Sequence, residues 1–263
     1  MPKFREDRDL FVLALSSHQD LERLSRVMTH DESDGEERYA QELLADPSYK
    51  EAAEGGDLRP AWRAIAAELQ AYGGDSIVNK VRGLAKGHTG VAYREIVTDL
   101  CEHLKIKLRP ADDIKSLEDQ FLVGLINTLK DKFQAKDIVR TMEEAAKSEG
   151  FDANLHEGLE YDELIKYIIT DAKISYLFIL VVPAIASVSF SFLGRLAVPA
   201  VSQFVATRFT VAVVPGVNVA AAAATVVTLV TSPAVRVTFP AALEVMRIRR
   251  AVLLSPMSEG NEA

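Results

Sequence analysis

Apolar side chains in the first 170 residues recur at helical spacing. Trp62, Ile65 and Leu69 fall on one face of a helix, and Asp57 is predicted to cap its start. No stretch shows the sustained alternation of apolar and polar positions, bounded by turn signals, that marks a strand. The pattern therefore predicts an all-α head. Short amphipathic turns are predicted at 9–16 and 20–28, and further helices at 37–44, 93–104, 117–133, 137–147 and 238–254.

The pattern changes at residue 174. Between residues 174 and 235 the only charged side chains are Arg195 and Arg208. The uncharged stretches 174–194 and 209–235 are each long enough to cross a bilayer, which takes about 20 apolar helical residues. Core helices of globular proteins usually keep a polar stripe, which these stretches lack. A hydrophobic helical module that inserts in a membrane is therefore predicted.

Several details of this module bear on how it meets a membrane. Pro183 would break a helix in water at a cost of about 3 kcal/mol, but proline is tolerated in membrane helices. Gly216, Ala220 and Ala224 form a small-residue stripe that lets helices approach closely in lipid, although an alanine-rich core helix would look the same. The arginines near the C-terminus suit anionic headgroups. The residues predicted to contact the membrane are Tyr176, Phe178, Leu193, Arg195, Phe204, Arg208, Phe209, Arg247, Arg249 and Arg250.

The net charge and the cysteine content limit the partners and the kinds of site that this chain can have. The net charge is −8, and the negative charge is concentrated in residues 1–173. An acidic head argues against a nucleic-acid partner, since phosphates demand clustered Lys and Arg. The single cysteine, Cys101, excludes an internal disulfide framework and a cysteine-rich metal site. The charged N-terminus lacks the apolar run of a secretory signal, so the head is expected in the cytoplasm.

No catalytic, cofactor-binding or metal-binding residues are predicted. Residues 30–35 lack the acidic ligands that a calcium loop needs at its first and last positions, and Cys101 and His103 fall on different helical faces. A glycine motif is predicted to end one helix and to cap the next. The alternative is an anion-binding site at the start of the second helix. The motif lacks the spacing of a Walker sequence, which counts against this alternative. The motif comprises Gly73, Gly74, Asp75, Ser76 and Asn79.

Residues 69–83, which contain this glycine motif, resemble the YaaW-like family of uncharacterised bacterial proteins. Segments 27–31, 93–96 and 232–250 carry the rest of the resemblance, which covers roughly residues 5–150 and 230–252. The family is distantly grouped with ubiquinol–cytochrome c chaperones, so the resemblance implies a helical fold and a chaperone-like role. It implies no catalytic residues. The loop at 84–90 is longer than the corresponding link in the family.

The sequence predicts a helical head (1–150), a linker with a lead-in helix (151–173), a hydrophobic module ending in an arginine-tipped helix (174–254) and a flexible tail (255–263). The leading hypothesis is a non-enzymatic protein of the inner membrane with a cytoplasmic head. It is either a pore-forming or membrane-perturbing effector, or an assembly factor for membrane proteins. Its predicted partners are membrane lipid, a protein bound by the head and a second copy of the chain.

Two other classes stay open. A soluble cytoplasmic chaperone or scaffold would bury residues 174–235 as its core or as an oligomer interface. An enzyme is the third class, and the sequence contains no motif that supports it.

Overall fold

The computed structural model describes residues 2–30, 42–74, 90–130, 133–156, 158–191 and 235–254. All regular elements among these residues are helical, as the apolar spacing predicts. Short 3-10 segments lie at Arg8–Leu15, Leu43–Ala45 and Arg59–Ala61. The α-helices are α1 (His18–Thr29), α2 (Pro47–Glu54), α3 (Trp62–Gly74), α4 (Tyr93–His103), α5 (Ile114–Leu129), α6 (Ala135–Ser148), α7 (Tyr161–Thr170), α8 (Ala172–Ser191) and α9 (Val235–Leu254).

The structure differs from the prediction at the start of α3 and at α2, which was not predicted. The Asp57 carboxylate accepts the backbone N–H of Arg59 at 3.0 Å, but the chain there forms the 3-10 turn Arg59–Ala61, whose N-cap is Leu58, and α3 begins only at Trp62. The spacing of apolar residues does not predict α2, which is too polar to show a clear period. This helix instead depends on its cap, because the Asp46 carboxylate accepts the N–H of Ser48 at 2.9 Å.

The last helix also starts earlier than its predicted start at residue 238. α9 begins at Val235, and Pro240 therefore lies inside it. A proline there removes one backbone hydrogen bond of the helix. Val237, only 3 % exposed, is buried in the turn before the proline. Burial of this side chain is the physical reason for the additional helical turn.

Helix α9 lies at the centre of the described structure. It packs against α1, α3, α4, α8 and the segment Arg8–Leu15. Ala241, Ala242 and Met246 are fully buried, and so are Leu177 and Phe178 of α8. All of them belong to the one hydrophobic core that also contains the head helices. The described parts of the predicted hydrophobic module therefore share the core of the head.

Of the two predicted membrane-spanning stretches, 174–194 falls almost entirely within α8, whereas 209–235 lies outside the described residues except for Val235. Among the helices that the structure does describe, none combines the length and the apolar character needed to cross a membrane. Residues 192–234 join the C-terminal end of α8 to the N-terminal end of α9.

Gly73 marks the closest approach of α3 to the chain around α4. A Cβ atom at this position would lie 2.6 Å from Cγ1 of Ile96 and 2.6 Å from Cγ2 of Val91. Real Cβ atoms do not approach neighbours so closely, so only glycine fits. One turn earlier, the Gln70 carbonyl accepts the Val91 N–H at 3.1 Å. The same side of α3 is tied to the N-terminal segment, because the Gln70 amide bonds the backbone N–H and carbonyl of Arg5, each at 2.9 Å.

We expect Gly73→Ala to lower the free energy of unfolding by about 1–3 kcal/mol, because the added methyl group overpacks the contact with Ile96 and Val91. Gly74→Ala is the matched control. No heavy atom lies within 4 Å of a Cβ placed there, and alanine favours a helix by about 1 kcal/mol over glycine. Urea unfolding followed by the fluorescence of Trp62, the single tryptophan, measures both. Equal destabilisation by the two substitutions would contradict the packing role.

Candidate functional site

Two arginines at the C-terminal end of α9 meet a buried glutamate of α5. The Oε1 atom of Glu118 accepts a hydrogen bond from Nε of Arg249 at 3.0 Å, and its Oε2 atom accepts one from Nη1 of Arg250 at 3.0 Å. Glu118 is 0 % exposed and Arg250 is 1 % exposed. The hydroxyl of Tyr93 lies 3.1 Å from the same Oε1 atom. We call Tyr93, Glu118, Asp119, Ser175, Arg249 and Arg250 the Glu118 cluster.

The remaining donors of the two guanidinium groups are also used. Arg250 donates from Nη2 to Asp119 at 2.9 Å and from Nε to the Ser175 hydroxyl at 3.0 Å. Arg249 donates to the backbone carbonyl of Asp9. Asp119 in addition forms an ion pair with Lys115 at 2.6 Å. The cluster therefore joins α9 to α5, to the start of α8 and to the N-terminal segment.

Tyr93 closes the cluster on the side of α4. Burial raises the pKa of its hydroxyl well above the ordinary value, and the neighbouring Glu118 carboxylate raises it further. The hydroxyl also lies 3.3 Å from the carbonyl oxygen of Ala242 in α9, while the Tyr93 backbone N–H donates to Asp7 at 2.7 Å. The phenol thus stays protonated and serves as a hydrogen-bond donor.

A second group of charges holds Arg247, one turn away on α9. Its guanidinium donates to Asp20 of α1 at 2.8 Å and to Glu244 at 2.9 Å, and it lies 5.8 Å from the ring centre of Tyr176. Burial alone would raise the pKa of Asp20, but the Arg247 guanidinium and the Ser17 hydroxyl outweigh it, and the pKa is lowered. The carboxylate therefore stays ionised and paired.

These contacts correct the expected lipid contacts at both ends of the module. Arg247 and Arg250 are 2 % and 1 % exposed, and Arg249 is mostly buried, so all three guanidinium groups face carboxylates of the protein and not headgroups. Tyr176 is 7 % exposed and Phe178 is fully buried in the core. The physical reason is that a buried cation needs a partner charge, and Glu118, Asp119 and Asp20 supply it.

The other predicted membrane contacts and part of the glycine motif lie outside the described residues. Gly73 and Gly74 form the last turn of α3, as the motif predicts. The predicted residues that lie outside the described ranges are Asp75, Ser76 and Asn79 of the glycine motif and Leu193, Arg195, Phe204, Arg208 and Phe209 of the predicted membrane contacts.

The sequence interpretation did not identify Glu118 or its partners as a group. One signal was present, because Glu118 lies one turn from Ile114 and from Phe121 on the apolar face of α5. A charged residue within such a face needs a buried partner. The sequence pattern does not identify that partner, because Arg249 and Arg250 are more than a hundred positions from Glu118.

The charges of the Glu118 cluster are balanced and buried, and its tyrosine is protonated. Burial, and to a lesser extent Glu102, raises the pKa of the Cys101 thiol to about 12, which leaves no reactive thiolate near neutral pH. Within the described ranges, no group of three or more His, Cys, Asp or Glu side chains could hold a metal ion.

Glu68 of α3 is a separate buried carboxyl group. Its side chain is 4 % exposed, and no hydrogen bond to its Oε2 atom is found in the described part of the chain. Burial raises the pKa of Glu68 to about 7, although the backbone N–H groups of Glu42 and Leu43 partly oppose the rise. The folded protein therefore keeps a proton on this carboxyl group over a range in which the unfolded chain has lost it.

We expect Glu118→Leu to lower the free energy of unfolding by about 3–5 kcal/mol, because it leaves two buried guanidinium groups without their shared carboxylate. Adding Arg249→Leu and Arg250→Met should recover most of this loss, since an apolar replacement of a whole buried ion cluster is often neutral. Urea unfolding of the three proteins measures the difference. A triple variant less stable than Glu118→Leu would show that the cluster does not act as one unit.

Stability should fall as pH rises between about 4.5 and 7 because of Glu68. Its pKa is raised from 4.5 to about 7 on folding, so the contribution is complete below pH 4.5 and is lost above pH 7. The full effect is at most roughly 3 kcal/mol. Glu68→Gln should remove this slope, whereas Glu51→Gln at an exposed position should keep it. Urea midpoints measured across this pH range test the assignment, and a slope that persists in Glu68→Gln would refute it.

Comparison with known proteins finds relatives that match about half of this chain. No family model matches the chain, and no solved structure matches it. The chain is 35% identical over 130 residues to the UPF0174 protein YaaW of Escherichia coli O157:H7, a match that covers 48% of this chain and 52% of the relative. It is 28% identical over 141 residues to a UPF0174 protein of Helicobacter pylori strain J99, covering 54% of this chain and 53% of the relative.

The chain spans about half the length of the curated relatives it matches. The names of these relatives state no activity. Over that half, the similarity to UPF0174 proteins supports the resemblance of this chain to the YaaW-like family.

Proposed function

We propose that this is a non-enzymatic membrane-associated protein, in which residues 192–234 insert in or dock on the inner membrane while the helical head remains in the cytoplasm. The observation that carries the proposal is the scarcity of charge in the sequence: between residues 174 and 235 only Arg195 and Arg208 are charged. Each uncharged part is long enough to meet the hydrocarbon layer of a bilayer.

The way the head holds α8 and α9 supports this proposal. Ser175 and Tyr176, at the start of α8, lie against Arg250 and Arg247, near the end of α9. Residues 192–234 join the opposite ends of these two helices. These contacts therefore hold together the two helices that precede and follow the apolar segment. A head attached in this way stays in place when the segment enters lipid.

Two versions of the function fit this arrangement. In a pore-forming or membrane-perturbing effector, the apolar segment disturbs the bilayer. In an assembly factor for membrane proteins, the segment anchors the head near its client protein. The resemblance to a family grouped with ubiquinol–cytochrome c chaperones favours the assembly factor.

A soluble helical chaperone or scaffold is the second candidate. The observation that favours it is the burial of Leu177, Phe178 and Val182 of α8 in the core of the head. In this version residues 192–234 continue the core or form an interface between copies of the chain.

We expect the full-length protein to stay in the membrane pellet after carbonate extraction, because apolar segments hold a protein in lipid when electrostatic contacts are removed. A control variant in which a Gly/Ser linker replaces residues 192–234 keeps α8, α9 and their ion pairs and should appear in the supernatant. Immunoblotting of the two fractions measures the outcome. Release of the wild-type protein would falsify membrane insertion and favour the scaffold.

Dye-filled vesicles should then separate the two membrane functions. An effector should release the dye on addition of the purified full-length chain, whereas an assembly factor should bind the vesicles and leave them sealed. The linker variant should do neither, because it lacks the segment that meets lipid.

A further inference from the structure

The chain between α4 and α5 carries three cations at alternate positions. Lys105, Lys107 and Arg109 are exposed. Ile106 and Leu108, which lie between them, are partly buried against the core. Such an alternation is typical of an extended chain, in which every second side chain points the same way. We call Lys105, Lys107 and Arg109 the basic segment.

The three cations line one open groove of about 740 Å³ along α5. Ile106 packs over Gly124, where a Cβ atom would lie 2.5 Å from its side chain. One turn earlier on α5, the Gln120 amide accepts the N–H of Arg109 at 2.6 Å and donates to its carbonyl at 3.3 Å. The chain from Ile106 to Arg109 therefore runs opposite to α5, and it is held at both ends before any partner binds. The volume of the groove is within the range of ligand-binding clefts.

The positive charge of this groove is not neutralised by the head itself. Within the described ranges, no side chain of the basic segment forms an ion pair. Among the lining residues that the structure describes, the one acidic side chain is Asp119, which is already paired with two cations. The exposed carboxylates on either side in sequence, at Glu102, Asp112 and Asp113, are not part of the lining. The groove is therefore positive in a chain whose net charge is −8.

Lys105 occupies a position at which the fold favours glycine. Its φ is +57°, in the left-handed region. Its backbone N–H donates to the Glu102 carbonyl at 3.0 Å, and the N–H of Ile106 donates to the Cys101 carbonyl at 2.8 Å. These two bonds end α4 in a Schellman motif, whose left-handed residue is usually glycine because a side chain strains the backbone there. The helix end therefore does not explain the cation at this position.

The backbone of the basic segment also has groups to offer a partner. Lys107 lies between the two points at which the chain is held, and no hydrogen bond to its backbone N–H or carbonyl is found in the described part of the chain. An extended peptide can pair with such a segment as an added strand. Alternate side chains of an extended peptide are roughly 7 Å apart, which is also the spacing of alternate side chains along the basic segment.

We propose that the groove along the basic segment binds an extended acidic peptide of a partner protein, whose carboxylates at alternate positions meet Lys105, Lys107 and Arg109. The inference concerns the head alone and stands whether or not residues 192–234 enter lipid. A peptide fits this arrangement better than a single small anion does. One anion would need the three cations to converge on a point, whereas cations at alternate positions of an extended chain are spaced along a line.

The test measures binding of synthetic peptides to the purified full-length protein by fluorescence anisotropy. The probe is a short fluorescein-labelled peptide in which glutamate and threonine alternate, because threonine favours an extended backbone. A second peptide has the same composition but carries all its glutamates in one block. A third has glutamine in place of every glutamate.

One variant of the protein replaces the three residues of the basic segment by glutamine. The matched control replaces Lys50, Lys136 and Lys147, three exposed lysines on other elements, by glutamine and so changes the net charge equally. Unchanged urea midpoints show that both variants fold. An exposed ion pair contributes at most about a fivefold gain in binding. The triple variant should therefore bind the alternating peptide roughly 10- to 100-fold more weakly than the wild type.

The lysine control should keep most of its affinity, and high salt should weaken binding by the wild type. The wild type should bind the block peptide more weakly than the alternating peptide, and the glutamine peptide most weakly of the three. Asn127→Phe, at an exposed position of the lining, should also weaken binding, because it fills part of the groove without changing the charge.

Lys105→Gly separates binding from folding. Glycine relieves the strain of the left-handed backbone, so the urea midpoint should rise while the affinity for the alternating peptide falls severalfold. A weaker interaction in a more stable protein cannot come from misfolding. Unchanged affinity in this variant would overturn the contact assigned to Lys105.

Equal affinity of the wild type and the triple variant, or an equal loss in the lysine control, would overturn the inference. Equal binding of the alternating and block peptides, or no binding of any peptide, would do the same. Displacement of the probe by inorganic phosphate, with no matching effect of chloride at the same ionic strength, would assign the groove to a small anion instead. Displacement by phosphatidylglycerol vesicles but not by neutral ones would assign it to a lipid surface. None of these results bears on residues 192–234, which the carbonate extraction tests separately.

Discussion

The burial of Glu118 between two arginines is the constraint on which the described structure depends. A carboxylate with no exposed surface cannot stay ionised without partners, and Arg249 and Arg250 are both held against it. Buried ion clusters add little net stability compared with apolar packing, because both charges lose their water. Their effect is on arrangement, because the observed register of α9 gives both arginines and Glu118 a partner.

The same constraint separates two tasks within the C-terminal third of the chain. The start of α8 and the end of α9 are committed to the head through Ser175, Tyr176 and the three arginines. The charge-poor residues 192–234 connect the far ends of the two helices. In the proposed function, binding to the head and binding to lipid therefore belong to different residues. In that proposal, the module from 174 to 254 consists of two helices held by the head and a lipid-binding segment between them.

Periodicity and caps account for most of the helices and little of the site. The apolar spacing places α4, α5 and α6 closely, because each has one buried face and one solvated face. It misses α2, whose polar sequence depends on the Asp46 cap. It also misjudges α9, because a helix buried on nearly all sides has no solvated face to read, and its arginines look like surface residues. Glycine 73 illustrates the same limit, since its role in packing against Ile96 cannot be distinguished from a helix stop in sequence alone.

The sequence by itself determined the helical class, the placement of the amphipathic helices and the abrupt change to uncharged residues at 174, since each of these is a property of neighbouring residues. Only the tertiary structure decided that Arg247, Arg249 and Arg250 face carboxylates inside the protein. This pairing depends on which distant residues meet. Glu118, Asp119 and Asp20 are each more than a hundred positions from these arginines, and no local pattern records such a contact.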